Sequence, residues 1–282
     1  MNLRIPGKKS VASARLPAEI SHYTTLEGFR CIVQNRCLWA SNASFLNDRA
    51  ELEHALQVSE KVITKLSSQK ALKSWSAMIK RVFKELAEGA RPDTYVACFC
   101  EDDDNLSQWR GYSGAEQGVS ITFNRKKLAD RLSSEKANFF KVSYSKFSTA
   151  TKVHDALKAE LSEIADLDEA VGSLPAEQRY RDLRSRVSAL LPRFKHLGFK
   201  DEREWRFAIQ RIVEGSALQF RVATNKIVPY IVIGSDDEPL PITSVRIGPG
   251  VDQELTSRSV QLFLKTLGHD VPVNVSEVPF RQ

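Results

Sequence analysis

The densest reactive chemistry in this chain lies at Lys200–Ile209, Lys-Asp-Glu-Arg-Glu-Trp-Arg-Phe-Ala-Ile. Read with period two, Trp205, Phe207 and Ile209 fall on one side, and Glu202, Glu204 and Arg206 on the other. That alternation predicts a strand whose aromatic side enters a core. The opposite side then carries two carboxylates and a guanidinium in a row, flanked by Lys200. Side chains at i and i+2 of a strand project in parallel, so Glu202 and Glu204 are expected to face one ligand together. Arg206 and Lys200 relieve their mutual repulsion. A charge run of this kind is either a solvated sheet face with a surface ion pair or the wall of a cleft.

Two further stretches favour the cleft, because each sets polar groups beside aromatic ones. In the first, Ser21-His22-Tyr23-Thr24 offers donors and a stacking surface at the end of a short strand. Leu38-Trp39-Ala40-Ser41-Asn42 does the same on a second strand, and Asn47-Asp48 follows in a loop before a long helix. The second is Ser107-Gln108-Trp109-Arg110-Gly111-Tyr112-Ser113, leading into Gly118–Phe123. Trp109 and Tyr112 are three apart on a helix and share a side. They are expected either to pack inward together or to line a cleft together. Asp102-Asp103-Asp104 reads as a capped turn at the start of the helix Leu106–Tyr112 rather than a cation site, because adjacent carboxylates diverge.

The rest of the chain bounds what this site can be. A length of 282 residues, 42% hydrophobic and 27% charged, is an ordinary globular balance with enough chain for a real core. With 41 basic and 35 acidic residues the net charge is +6, which admits a phosphate-bearing ligand or nucleic acid and requires neither. Cys31, Cys37, Cys98 and Cys100 lack a common zinc spacing, so no metal is expected. They read as reduced thiols in a cytoplasmic protein. No apolar run reaches the length of a membrane span, and no secretory leader is read at the N-terminus. No nucleophile elbow, Walker loop, dinucleotide fingerprint or metalloprotease helix occurs.

Short strands alternate with helices of unequal length. Strands are expected at Ile20–Tyr23, Leu38–Ser41, Tyr95–Cys100, Gly118–Phe123, Phe139–Tyr144, Glu204–Ile209, Ile227–Ile233, Val245–Ile247 and Val271–Val275. Helices are expected at Leu26–Asn35 with Thr25 as cap, from Arg49, at Leu72–Leu86, Leu106–Tyr112, Lys126–Leu132 and Gln253–Leu267. The pattern predicts an α+β fold with a mainly antiparallel curved sheet and flanking helices. A flexible basic arm occupies 1–17, and one domain covers 18–282 with a helical insertion at about 149–192.

These motifs resemble a bacterial family, the domain-of-unknown-function family 2971. The matching stretches are Ser44-Phe45-Leu46-Asn47-Asp48, Ala97-Cys98-Phe99-Cys100, Trp109-Arg110-Gly111-Tyr112, Gly118–Phe123 and Glu202-x-Glu204-x-Arg206, in that order over about Ile20 to Ile209. Arg49 stands where proline is common and Cys100 where serine is common. That resemblance carries no activity.

More distantly, Ser21-His22-Tyr23-Thr24, a helix, and then Cys37-Leu38-Trp39-Ala40-Ser41 look like the start of ADP-ribosyltransferase folds. The resemblance implies an NAD pocket framed by His22, by Tyr112 or Ser113, and by Glu202 or Glu204. NAD is then the expected co-substrate. Tyr112 or Tyr23 would stack on nicotinamide, and His22 would fix the ribose hydroxyls. Glu204, with Glu202 second, would stabilise the oxocarbenium-like transition state. Arg110, Arg206 or Lys200 would meet the pyrophosphate, with Ser41 and Trp109 completing the binding set. The acceptor would be a nucleic acid or a protein. The alternatives are a non-catalytic nucleotide or nucleic-acid binding module, and a metal-dependent phosphodiesterase using Glu202, Glu204 and Asp103.

Overall fold

The structure is a computed structural model, and it describes residues 16–45, 70–89, 93–112, 117–135, 137–145, 155–156, 158–159, 161–163, 166, 175–211, 217–223 and 225–279. The basic arm up to residue 15, the Asn47-Asp48 loop, the helix expected from Arg49 and Ser113 lie outside them.

The elements run β1 (Glu19–Thr25), α1 (Leu26–Asn35), β2 (Leu38–Asn42), α2 (Ser76–Ala87), β3 (Thr94–Cys100), α3 (Leu106–Tyr112), β4 (Gly118–Asn124) and α4 (Arg125–Arg131). They continue with β5 (Asn138–Lys141), β6 (Ser143–Ser145), α5 (Ala176–Leu190), β7 (Phe194–His196), β8 (Glu204–Gln210), β9 (Gln219–Ala223), β10 (Lys226–Ile233), β11 (Ile242–Ile247), α6 (Gln253–Thr266) and β12 (Val273–Val275). The fold is α+β, built on one open, mostly antiparallel sheet of ten strands among the described residues.

Strand order is β12-β11-β4-β1-β3-β2-β10-β9, with β8 pairing along β3 and β5 along β8. Only β11 with β12, and β6 with β7 in a separate small sheet, are parallel pairs among the described strands. β3 is the branch point. One edge pairs with β8 from Thr94↔Gln210 to Cys100↔Glu204. The other edge is shared: β2 takes it at Tyr95 and Val96, and β1 takes it at Cys100. Between those two points β1 and β2 diverge.

Alternation assigns the two sides of the sheet. Ile20, Leu38, Ala40, Tyr95, Ala97, Phe99, Val119, Ile121, Trp205, Phe207 and Ile209 point one way, into the larger core. There α1 contributes Phe29, Ile32 and Val33, and α6 contributes Val260 and Leu264. The entry into α1 is set by Thr25, whose side chain accepts from the Gly28 amide at 3.1 Å, an N-cap. On the opposite side α2 and α5 pack Ile79, Val82, Leu86, Leu183 and Val187 with Val96 and Ala208 of the sheet. The remainder of that side, from Ser21 across Cys100 to Glu204, is polar and lies under α3 and β7.

Three local expectations need correction. The strand read as Phe139–Tyr144 is two strands, β5 and β6, which join different sheets. The helix read from Leu72 begins as a 3₁₀ turn over Lys70–Trp75. Glu202 does not belong to a strand: it ends a 3₁₀ turn, Leu197–Glu202, and Arg203 turns the backbone with φ 46° before β8 starts at Glu204.

Candidate functional site

Glu204 and Arg206 leave β8 on the side opposite Trp205 and Phe207, as alternation requires. They are nevertheless as buried as the aromatic side, at 3% exposure each. The cover is β7 with the segment before it. Arg206 donates Nε to Glu204 Oε1 at 2.6 Å and Nη2 to Oε2 at 2.9 Å, and sends Nη1 to the Pro192 carbonyl at 3.1 Å. Lys195 of β7, itself 4% exposed, reaches Glu202 Oε2 at 2.6 Å and Glu204 Oε2 at 3.3 Å. Two carboxylates and two cations therefore close on one another. Burial alone would raise the Glu204 pKa. The Arg206 and Lys195 charges outweigh it and hold the carboxyl down at about 2. Glu204 is an anion at every physiological pH.

Lys195 was not legible as a site residue. Its strand is three residues long, and the charge partner read from the sequence, Lys200, stands exposed on the 3₁₀ turn. The two glutamates do meet, but through Lys195 and not through strand periodicity.

α3 fixes the loop that carries Glu202. Asn105 Nδ2 donates to the Asp201 carbonyl at 2.7 Å and Gln108 Nε2 to the Glu202 carbonyl at 3.3 Å. The Asn105 side chain also accepts from the Ser107 amide at 2.8 Å, which starts α3. Tyr23 locks the preceding turn: its hydroxyl donates to the Asp102 carbonyl and accepts from the Asn105 amide, both at 2.8 Å. The three aspartates diverge. Asp103 pairs with Arg246 at 3.0 Å, while Asp104 accepts from Trp109 Nε1 at 2.8 Å, from Ser276 Oγ at 2.5 Å and from the Glu277 amide at 2.9 Å. Glu202 and Asp103 thus have separate partners. Among the described residues no three His, Cys, Asp or Glu side chains are grouped as metal ligands.

Trp109 and Tyr112 part company. Trp109 is buried edge-on against Tyr23, ring centroids 4.6 Å apart, whereas Tyr112 is 47% exposed. A separation of three residues on a helix is 60° short of a full turn, enough to put one ring inside and the other at a rim. Trp109 also rests on Gly248. A Cβ there would stand 2.9 Å from two ring carbons of Trp109 and 3.1 Å from the Gly118 carbonyl. Gly248→Ala is expected to cost about 1–3 kcal/mol by overpacking, seen as a lowered urea midpoint. An unchanged midpoint would mean that the ring shifts freely.

Between α3, β1, β3 and β8 lies a small cleft with a cavity of about 10 Å³, lined by Ser21, Tyr23, Cys98, Phe99, Gln108, Tyr112 and Glu204. Residues 108–207 match the model of a family described as a protein of unknown function, DUF2971. The matched segment runs from Gln108 to Phe207 and so includes Tyr112, Lys195, Glu202, Glu204 and Arg206. It spans about a third of the chain. No curated protein and no solved structure matches the chain.

Of the residues expected at the site, Tyr23, Tyr112 and Glu204 line the cleft, with Arg206 bonded to Glu204. Trp109 supports Tyr23 from behind. Arg110 and Lys200 are exposed, and neither lines the cleft. His22 is not in the lining either. It is paired with Ile121, and Ser21 with Thr122, so His22 projects to the side opposite Ser21, Tyr23 and Glu204. It spans the divergence of β1 and β2, donating Nδ1–H to the Cys98 carbonyl at 2.8 Å beside the Phe99 ring. Burial lowers its pKa, so the ring is neutral. Ser41 is buried on β2. Gln108 and Cys98 are lining residues that the motif reading passed over. Gln108 follows from the helical i, i+4 relation to Tyr112.

Proposed function

We propose that this protein is an enzyme that cleaves the nicotinamide–ribose bond of NAD and transfers ADP-ribose to an acceptor. The observation that carries the reading is the geometry at the cleft wall: Glu204, the lining carboxylate among the described residues, is bonded to Arg206 and Lys195, whose charges keep it ionised. An anion stabilises positive charge developing at the ribose anomeric carbon. It cannot protonate a leaving group. Nicotinamide is a pyridinium in NAD and departs as a neutral molecule, so it needs no general acid. An ordinary nucleoside base does benefit from one, which makes a pyridinium glycoside the better match. Tyr112 at the mouth offers ring surface for nicotinamide. Glu202, held to Glu204 through Lys195, is the candidate base toward the acceptor. The bond from ribose to the nicotinamide nitrogen breaks with its electron pair going to the ring. The bond from ribose to the acceptor forms, and the acceptor's proton leaves to Glu202 or water.

A cavity of about 10 Å³ holds roughly one water molecule, far below the roughly 300–1,000 Å³ of pockets that enclose a whole small ligand. The nicotinamide end must therefore stack at the mouth and displace the exposed Tyr112 ring to approach Glu204, with the phosphates outside. Incubating the purified chain with NAD is expected to release nicotinamide, measured by chromatography, with ADP-ribose appearing free or on added protein or nucleic acid. A chain that neither binds nor consumes NAD with such acceptors present would overturn the proposal. Tight nucleotide binding without turnover would favour the non-catalytic binding module.

A further inference from the structure

Arg221 lies on β9, paired with Val228 of β10. One step along, Gln219 pairs with Tyr230, Tyr230 with Ser41 of β2, and Ser41 with Val96 of β3. Val96 pairs in turn with Ala208 of β8. Through that ladder Arg221 shares the sheet side of Ser41, Arg206 and Glu204. Its side chain crosses β10 toward the cleft and donates Nη2 to Ser41 Oγ at 3.3 Å. Tyr112 and Tyr230 are the groups near enough to influence its charge from outside, and Arg221 in turn acts on His22. It thus lies on the sheet side that carries the cleft, within electrostatic reach of Tyr112 at its mouth.

What sets Arg221 apart is its counter-charge. Around the cleft Arg206 has Glu204, Arg203 has Asp102 and Arg246 has Asp103. Arg221 is half-buried and has no carboxylate partner among the described residues; its hydrogen bond goes to a hydroxyl. A partly desolvated guanidinium without an anion is an unfavourable arrangement in the free protein. Its burial is felt as a lowered pKa. A guanidinium fork matches phosphate oxygens in geometry as well as charge.

We infer that Arg221, steadied by Ser41, binds a phosphate group of the ligand whose reacting end enters the cleft beside Tyr112. The identity of that ligand as NAD rests on the function proposed above. The anion site itself rests on Arg221.

The test is calorimetric titration of the full chain with inorganic pyrophosphate, ADP, nicotinamide and NAD, comparing wild type with R221Q, R221K and S41A. R221Q is expected to weaken pyrophosphate and ADP at least about tenfold, the loss of one charge-assisted contact, and to leave nicotinamide binding unchanged. KM for NAD should rise while kcat holds, because a phosphate contact is made equally in ground and transition states. R221K should fall between, keeping the charge and losing the fork. S41A, which keeps the cation but frees its aim, should show a smaller loss and serves should R221Q fail to fold. Equal pyrophosphate and ADP affinity in wild type, R221Q and S41A would overturn the inference, even if NAD is consumed. Arg221-dependent pyrophosphate binding by a chain that does not consume NAD would uphold it while removing the proposed activity.

Discussion

Changing Glu204 to Gln is expected to lower NAD turnover by about a hundredfold or more, the scale of losing one preorganised electrostatic group. NAD affinity should change little, because the charge at the anomeric carbon exists only in the transition state. Gln keeps the size of Glu204 and one acceptor oxygen for Arg206. It removes the anion. Single-turnover nicotinamide release measures the rate, and calorimetry on the same preparation measures affinity. Glu202→Gln should do less to NAD hydrolysis and more to transfer onto an acceptor. A purely structural role for Glu204 makes a different prediction: E204Q would be less stable, yet each folded molecule would turn over NAD as wild type does.

Removing Lys195 is expected to have the largest effect on stability. Lys195→Met keeps the apolar stem and deletes the ammonium that lies between Glu202 and Glu204. The two carboxylates then lose the cation between them, and breaking a buried ionic network by removing one partner costs about 3–5 kcal/mol. That is a large part of the roughly 5–15 kcal/mol that holds a domain together. Urea unfolding at neutral pH measures it. Acid adds an independent readout. Glu204 has a folded pKa of about 2 against an ordinary 4.5. Its contribution is therefore complete above pH 4.5 and is lost as pH falls toward 2. Without Lys195 the folded value rises toward the ordinary one, so less stability is lost across that window and the K195M deficit narrows in acid. A deficit that stayed constant from pH 7 to 3 would contradict the coupling.

The alternation in Glu204–Ile209 was enough to place β8 and to say which side chains share a side. It said nothing about what would cover the polar side, because cover comes from β7 and Pro192, which no local period ties to β8. Burial of Glu204 and Arg206 was invisible for that reason. Thr25 as cap, the inner stripe Phe29, Ile32 and Val33, and the bounds of α3 were legible because helices are written in neighbouring residues. The break at Arg203 was not: a non-glycine residue in the left-handed region has no sequence signature. His22 lies outside the cleft lining because it alternates with Ser21 and Tyr23 along β1 and so faces the other side of the sheet. Arg221 escaped notice because β9 is an edge strand whose exposed Phe220 and Val222 blur its alternation.

Asp104 gathers residues from both ends of the described chain. It holds Trp109, which packs on Tyr23 of the first strand, and it holds Ser276 and Glu277 beyond the last. The contact from Glu277 closes over 173 positions. Sequence separations of that size are formed late in folding, because the loop entropy must be spent before the contact returns anything. During synthesis at about 5–20 residues per second, Asp104 waits roughly 9–35 s for Glu277 to be made. A nascent chain that already has β1, β3, α3 and β8 still lacks the strap across their turn. The turn that borders the cleft is therefore strapped only after Ser276 and Glu277 have been made, later than every residue that lines the cleft.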